Sequence, residues 1–181
     1  MNKTLFQTLL FLTIFLSSCG SKLDVPDGYI LTEEALKENL QQHDTNLVFF
    51  WTDWCGASKH RIETVYKPLV KQLKKDSLDV QLILLAADQN VTLEQIDELR
   101  GLGFNCFYID RPGNHPFVNR RAIKSYINSA FPNNEVKRTG GGQYALPVEL
   151  LITSDLEIVN AVTYSKSAAF IEAIRKENEQ E

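Results

Sequence analysis

The chain has 181 residues, of which 44% are hydrophobic and 10% aromatic, and it carries a formal net charge of −4. This length suits one domain preceded by a leader, and the apolar fraction is sufficient for one ordinary core. A negative net charge argues against the extended basic surface that nucleic acid requires, so we expect no nucleic-acid partner.

The first 18 residues have the pattern of an export signal. Lys3 supplies a positive charge, and the apolar run 5–16 is too short to cross a bilayer as a helix of the mature protein. The tetrapeptide LSSC at 16–19 resembles the lipobox of bacterial lipoproteins. This resemblance implies cleavage after residue 18 and lipidation of Cys19, whereas an ordinary signal peptide with a chance cysteine is the alternative.

The lipobox also implies an address for the rest of the chain. Residues 19–29, which include Pro26, are expected to form a short tether between the lipid and a folded domain at 30–178. The domain then lies in the bacterial cell envelope, anchored to the membrane through its N-terminal lipid and facing the periplasm.

The domain begins with a helix for which Thr32 is the predicted N-cap, and a continuously apolar strand follows at 47–51. A long helix is predicted from Cys55 to about residue 75, with a kink near Thr64 because Pro68 removes one backbone hydrogen bond. The later elements are read from their apolar patterns and turn residues in the same way. They are a strand at 80–87, a helix from the Thr92–Gln95 capping box to Gly101, a strand at 104–109, a turn at 111–114, a helix capped by Asn119 and stopped by Pro132, a mobile loop at 137–143, strands at 144–152 and 158–163, and a last helix from about Lys166.

Cys55 stands where the apolar strand meets the long helix. The unpaired N–H groups and the positive dipole end of a helix N-terminus favour a thiolate, which is the nucleophilic form of cysteine. We therefore predict that Cys55 is a reactive nucleophile whose sulfur faces the solvent.

Residues 47–56, LVFFWTDWCG, followed by Lys59, resemble the active-site strand and turn of the thioredoxin superfamily. The resemblance fails at two positions. Ser58 replaces the resolving cysteine, which leaves a C-x-x-S motif, and Phe49 replaces a buried carboxylate that accepts the proton of the resolving thiol. The two losses agree, because a site without a resolving thiol has no use for that acceptor.

Pro147 matches the cis-proline of the same superfamily, and the helix and strand at about 92–109 resemble the insertion of TlpA-like and other redoxin-type proteins. The resemblance implies an α/β, thioredoxin-like fold, with a central mixed sheet flanked by helices and this helix-strand insertion before the cis-proline half. It also implies a set of residues beside the thiol that bind a polypeptide substrate. These are Trp54, Gly56, Ala57, Leu146 and Pro147.

Two functions follow from this resemblance. The first is thiol-disulfide exchange, of isomerase or mixed-disulfide type, in which Cys55 and Ser58 form a monothiol catalytic site that acts on thiols or disulfides of exported proteins. The second is a redox-inactive module that binds exported polypeptides without covalent chemistry. The CGAS tetrapeptide also resembles the CGFS motif of monothiol glutaredoxins, which hold glutathione and an iron-sulfur cluster. The tryptophan-rich segment before Cys55 and the export signal argue against that function.

The remaining candidate residues each have two interpretations. The Ser58 hydroxyl either donates a hydrogen bond to the Cys55 thiolate or is an isosteric substitute, and Cys106 is either a distant resolving thiol or a small packed residue. His60 either tunes the pKa of Cys55 from one turn away or is an exposed helix residue, and the second interpretation is preferred. Neither a cofactor nor a metal site is predicted, because the three histidines share no metal-ligand spacing with each other or with a cysteine.

Overall fold

The structure is a computed structural model that describes residues 23–76, 79–132 and 148–162. Strands and helices alternate through most of these ranges. In chain order they are β1 (Ile30–Leu31), α1 (Glu33–Leu40), β2 (Thr45–Trp51), α2 (Gly56–Arg61), a π-helical turn (Ile62–Tyr66), α3 (Lys67–Asp76), β3 (Val80–Asp88), α4 (Leu93–Leu102), β4 (Asn105–Gly113), α5 (Pro116–Ala130), β5 (Val148–Thr153) and β6 (Ile158–Val162).

The strands form one mixed sheet in the order β1-β4-β3-β2-β5-β6. The first four strands pair in parallel, whereas β5 runs antiparallel to both β2 and β6. The two central parallel strands are buried on both faces, which explains their nearly unbroken apolar sequences. The predicted central mixed sheet flanked by helices is therefore confirmed.

Alternate side chains of β2 enter two separate apolar cores, one on each face of the sheet. Val48 and Phe50 pack in the core that α1 and α5 cover. Leu47, Phe49 and Trp51 pack in the other core, which the helical segment 56–76 and α4 cover. Cys55 follows this strand and so begins the helical segment over the second core.

The predicted kink in the long helix is present as a π-helical turn. The helical segment runs without interruption through residues 56–76, and Ile62–Tyr66 forms the π turn in its middle. Pro68 has no N–H group to donate to the carbonyl of Thr64, so the regular i to i−4 ladder cannot continue there.

Two predicted helix ends are wrong. The helix that Asn119 was expected to cap begins at Pro116 after His115 as N-cap, so its start lies four residues earlier than predicted, and Asn119 is buried within it. Proline suits the first position of a helix because it needs no N–H partner there. Likewise, α4 continues past Gly101 and ends at Gly103, whose φ of 100° lies in the left-handed region that glycine tolerates.

Other local predictions are confirmed. Thr32 caps α1, and Thr92 with Gln95 forms the capping box of α4. The predicted turn at 111–114 is wrong in part, because β4 continues to Gly113, and the two-residue strand β1 was missed because it is too short to leave an apolar pattern.

Several predictions concern residues outside those that the structure describes. They are the signal at 1–18, residues 19–22 with Cys19, the loop at 137–143, Leu146, Pro147 and the last helix. Residues 23–29 of the predicted tether are described, and Leu23, Val25 and Tyr29 pack against the second core. Within the described ranges, no helix is long and apolar enough to cross a membrane.

Candidate functional site

Cys55 occupies the N-cap position of α2, as predicted, but its side chain is buried and only 8% exposed. Its N–H donates to the Thr52 carbonyl at 3.3 Å, and its carbonyl accepts from the Lys59 N–H at 3.2 Å. No side chain caps this helix start. The first amides of the helix are thus available to a thiolate, but the expectation that the sulfur faces the solvent is wrong.

The residues around Cys55 differ sharply in exposure. Trp54 is 39% exposed, and Gly56 and Ala57 are also exposed. Among the described residues, only Trp54 and Phe117 are large hydrophobic side chains exposed to solvent. The predicted substrate-binding residues that the structure describes are therefore exposed on either side of Cys55 in the chain, where a reaction partner can contact them.

The loop before Cys55 is held by the end of β3. Asp88 is fully buried and accepts a hydrogen bond from the Asp53 N–H at 3.2 Å. The Asp53 carboxylate contacts Lys59 Nζ at 2.8 Å and accepts from Gln95 Nε2 at 2.9 Å. The hydrogen bond from Lys59, and then the one from Gln95, lower the pKa of Asp53, so the loop is fixed by an ionised carboxylate.

Ser58 lies one turn after Cys55 and is fully buried. Its hydroxyl has no hydrogen-bond partner within the described part of the chain, so the considered hydrogen bond from Ser58 to Cys55 is not made. This geometry favours the interpretation of Ser58 as an isosteric substitute for a cysteine.

A buried ion pair that the sequence analysis missed lies beneath the helix that begins at Cys55. The Arg61 side chain is 3% exposed and that of Glu149 is 2% exposed. Arg61 Nε and Nη2 both donate to Glu149 Oε2, at 3.0 and 2.6 Å. The second carboxylate oxygen, Oε1, has no hydrogen-bond partner in the described structure. A glutamate inside the apolar run of β5 was the signal that could have revealed this pair.

Tyr66 completes this buried polar cluster. Its ring lies 4.7 Å from the ring of Phe49, and the Arg61 guanidinium carbon lies 5.7 Å from its centroid. Burial, followed by the negative charge of Glu149, raises the pKa of the Tyr66 hydroxyl well above its ordinary value. The hydroxyl therefore stays protonated and offers a donor beside the ion pair.

Cys106 lies on β4, which β3 separates from β2, the strand that leads to Cys55. It pairs with Leu84 of β3, which in turn pairs with Phe49 of β2, six residues before Cys55. Both Cys55 and Cys106 are free thiols. Cys106 is fully buried, and burial raises its pKa to about 12. The geometry supports a packed core residue rather than a resolving thiol.

We expect iodoacetamide at about pH 8 to leave Cys106 unmodified in the folded protein, because a buried thiol with a raised pKa has almost no thiolate there. Unfolding in denaturant should make Cys106 react fully. Peptide mass spectrometry measures both thiols in one sample, so Cys55 serves as the internal control. Modification of Cys106 at the rate of Cys55 would contradict this prediction.

Other predicted site features are simple to place. His60 is exposed on α2, as expected. No group of three or more metal-ligating side chains occurs within the described ranges. Leu146 and Pro147 lie outside these ranges, although β5 begins directly after them at Val148, which pairs with Phe50 of β2.

A protein-family model matches part of this chain. The thioredoxin family model matches residues 28–115, which extend from before β1 to the N-cap of α5 and include Cys55. The search among curated proteins found no match.

Similar solved structures share little sequence with this chain. A candidate thiol-disulfide oxidoreductase from Bacteroides vulgatus is 16% identical over 80% of this chain and 80% of that chain, with a TM-score of 0.47. Copper-bound ScoI from Arabidopsis thaliana is 14% identical over 80% and 89%, with a TM-score of 0.49. A thiol-disulfide oxidoreductase from Bacteroides fragilis is 15% identical over 72% and 80%, with a TM-score of 0.44.

Proposed function

We propose, from the match of the thioredoxin family model to residues 28–115, that this chain exchanges thiols and disulfides with exported proteins through Cys55 alone. The observation that carries this proposal is the position of Cys55 at an uncapped helix start. Amides at such a start stabilise a thiolate, and the thiolate is the attacking form in exchange.

The proposed reaction conserves electrons overall. The Cys55 thiolate attacks one sulfur of a client disulfide, forms a mixed disulfide and releases a client thiolate. Ser58 cannot resolve this adduct, and Cys106 is fully buried. A second thiolate of the client therefore attacks the mixed disulfide, forms a new client disulfide and releases Cys55. The net result is isomerisation of the client rather than its reduction.

The site supports a client that enters from one side. Trp54 and Ala57 are exposed beside the nearly buried sulfur, and an exposed tryptophan gives apolar area for an unfolded segment. Residues 146–147 directly precede β5, which pairs with the strand that leads to Cys55. We include Leu146 and Pro147 in the proposed binding surface on this placement.

The proposal includes an envelope location. The signal pattern at 1–18 and the lipobox that ends at Cys19 support the proposal that Cys19 is lipidated and that a tether at 19–29 joins the lipid to a domain facing the periplasm. Disulfides persist in that compartment, so client disulfides are available there.

A second function is favoured by the burial of the thiol. Cys55 is only 8% exposed, and Ser58 makes no hydrogen bond to it. A module that binds polypeptides beside Trp54 without covalent chemistry needs no accessible sulfur. The two functions can be distinguished by measuring the alkylation rate of Cys55 across the pH range in which the protein stays folded. A thiol that does not react anywhere in that range supports binding alone.

Replacement of Cys55 by Ser is expected to abolish mixed-disulfide adducts with envelope proteins. Cells that express the wild-type protein are quenched with acid and alkylated, and the adducts are separated on non-reducing gels. Cys106→Ser is the matched control, and its adducts should equal those of the wild type. Adducts that survive in Cys55→Ser would show that the proposed mechanism is wrong.

A further inference from the structure

The Arg61–Glu149 ion pair has a desolvation penalty, and it lies in a core that otherwise contains mainly apolar side chains. Two charged groups have been removed from water, and two hydrogen bonds from the guanidinium group converge on one carboxylate oxygen. Such burial carries a large desolvation penalty for each ion, which the attraction between the two charges must offset. Apolar residues of similar size fill such a space without this cost, so the pair requires an explanation beyond packing.

The two charges belong to the two elements that carry the site. Arg61 is the last residue of α2 and follows Cys55 by six residues, which is about 9 Å along a helix axis. Glu149 is the second residue of β5 and pairs with Phe49 of β2, the strand that leads to Cys55. The pair thus joins the helix that begins at the thiol to the strand that follows residues 146–147.

Because these charges are buried, their electrostatic interactions act over longer distances than those of surface charges. Cys55, Arg61 and Glu149 are all buried, so water screens the interactions between them poorly. Over the helix-axis length of about 9 Å between Cys55 and Arg61, and for an effective dielectric constant of about 20, one unbalanced charge shifts the protonation midpoint of a thiol by about one pH unit.

The other charged groups around Cys55 are paired, exposed or positioned by hydrogen bonds. Asp53 and Lys59 pair with each other, and His60 is exposed. Asp88, from the end of β3, accepts hydrogen bonds from Asp53 and Asn90. From the π-helical turn, Tyr66 faces the ion pair as a neutral hydroxyl.

We propose that Arg61 and Glu149 are positioning residues that act on Cys55 with opposite electrostatic signs, so that the intact pair holds the helix in place without biasing the thiol. Arg61 alone favours the thiolate, and Glu149 offsets that effect. This inference deepens the proposed function, because the exchange chemistry of Cys55 depends on its thiolate.

The test measures the pH at which Cys55 reaches half of its maximal alkylation rate. Full-length protein is treated with iodoacetamide across a pH series, and mass spectrometry quantifies the tryptic peptide 38–59, which contains Cys55 as its only cysteine. We expect Glu149→Gln to lower this midpoint by about one unit, a tenfold increase in thiolate fraction at a fixed pH below it. Arg61→Gln should not lower the midpoint, because Glu149 without its cation either stays anionic and raises it or takes up a proton. The double variant should return to within about 0.3 unit of the wild type.

Glu63→Gln is the matched control, because it removes a carboxylate from the same helical segment at an exposed position. Its midpoint should equal that of the wild type. The inference is overturned if Glu149→Gln leaves the midpoint unchanged or raises it, if Arg61→Gln lowers it, or if the double variant stays shifted. If neither single variant folds, the test depends on the double variant, which must fold and must have the wild-type midpoint. The inference is overturned if it does not fold or if its midpoint differs. A different result is that the midpoints shift as expected while cells form no mixed-disulfide adducts. That result would support this inference and contradict the proposed exchange function.

Discussion

Replacement of Arg61 by Met is expected to lower the free energy of unfolding by about 3–5 kcal/mol, because it leaves the Glu149 charge buried without its partner. A domain of this size has a total stability of about 5–15 kcal/mol, so the loss is a large fraction of the whole. Urea denaturation followed by circular dichroism measures it as a shift in the midpoint at constant slope.

The double variant Arg61→Met, Glu149→Leu should recover most of that loss, since it removes both charges and keeps apolar volume in the same space. Lys67→Met is the control for the loss of a cation from the same helical segment. Lys67 pairs with the exposed carboxylates of Glu63 and Glu98, so its replacement should cost no more than about 1 kcal/mol. A double variant as unstable as Arg61→Met would contradict the prediction.

Replacement of Ser58 by Cys is expected to reduce mixed-disulfide adducts at least tenfold. Residues three apart on a helix lie on the same side, at a separation within the range that a disulfide spans. Ser58 is buried beside a buried Cys55, so the new thiol lies where it can attack any adduct from within the motif. The adduct then resolves before a second client thiol reaches it.

Two measurements check this prediction. Intact mass should show that the oxidised Ser58→Cys protein has lost two hydrogens as Cys55 and the new cysteine join, and non-reducing gels should show fewer adducts. His60→Cys is the matched control because residue 60 is exposed, lies outside the proposed binding surface and is neither three nor four residues from Cys55 on the helix. Its adducts should persist at the wild-type level. Wild-type adduct yields from Ser58→Cys would show that release does not depend on a resolving thiol.

Local chemistry in the sequence was enough to predict most elements. The caps at Thr32 and Thr92 act within one turn, so their effect can be read from neighbouring residues. Pro68 disrupts the helix through its own missing N–H group, and the disruption is present at Ile62–Tyr66. The prediction for Asn119 failed because Pro116, with His115 before it, offers an equally local and earlier helix start.

The candidate site could be predicted only in part. The motif placed Cys55 at a helix start and the exposed Trp54 and Ala57 beside it, because all of these lie in one short stretch of chain. Exposure of the sulfur could not be predicted, since it depends on how the surrounding elements pack. The interpretation of Cys106 also stayed open until its depth in the second core was known.

Apart from β1, the order of strands and helices through β6 could be predicted from the sequence, as could the thiol at the junction of β2 and α2 and the absence of a second cysteine from the motif. Two features became known only from the packed fold: Cys55 is nearly buried, and Arg61 pairs with a carboxylate 88 residues away. The physical reason is that apolar periodicity and capping are read from residues a few positions apart. Burial and the pairing of charges depend on which distant elements the sheet brings into contact.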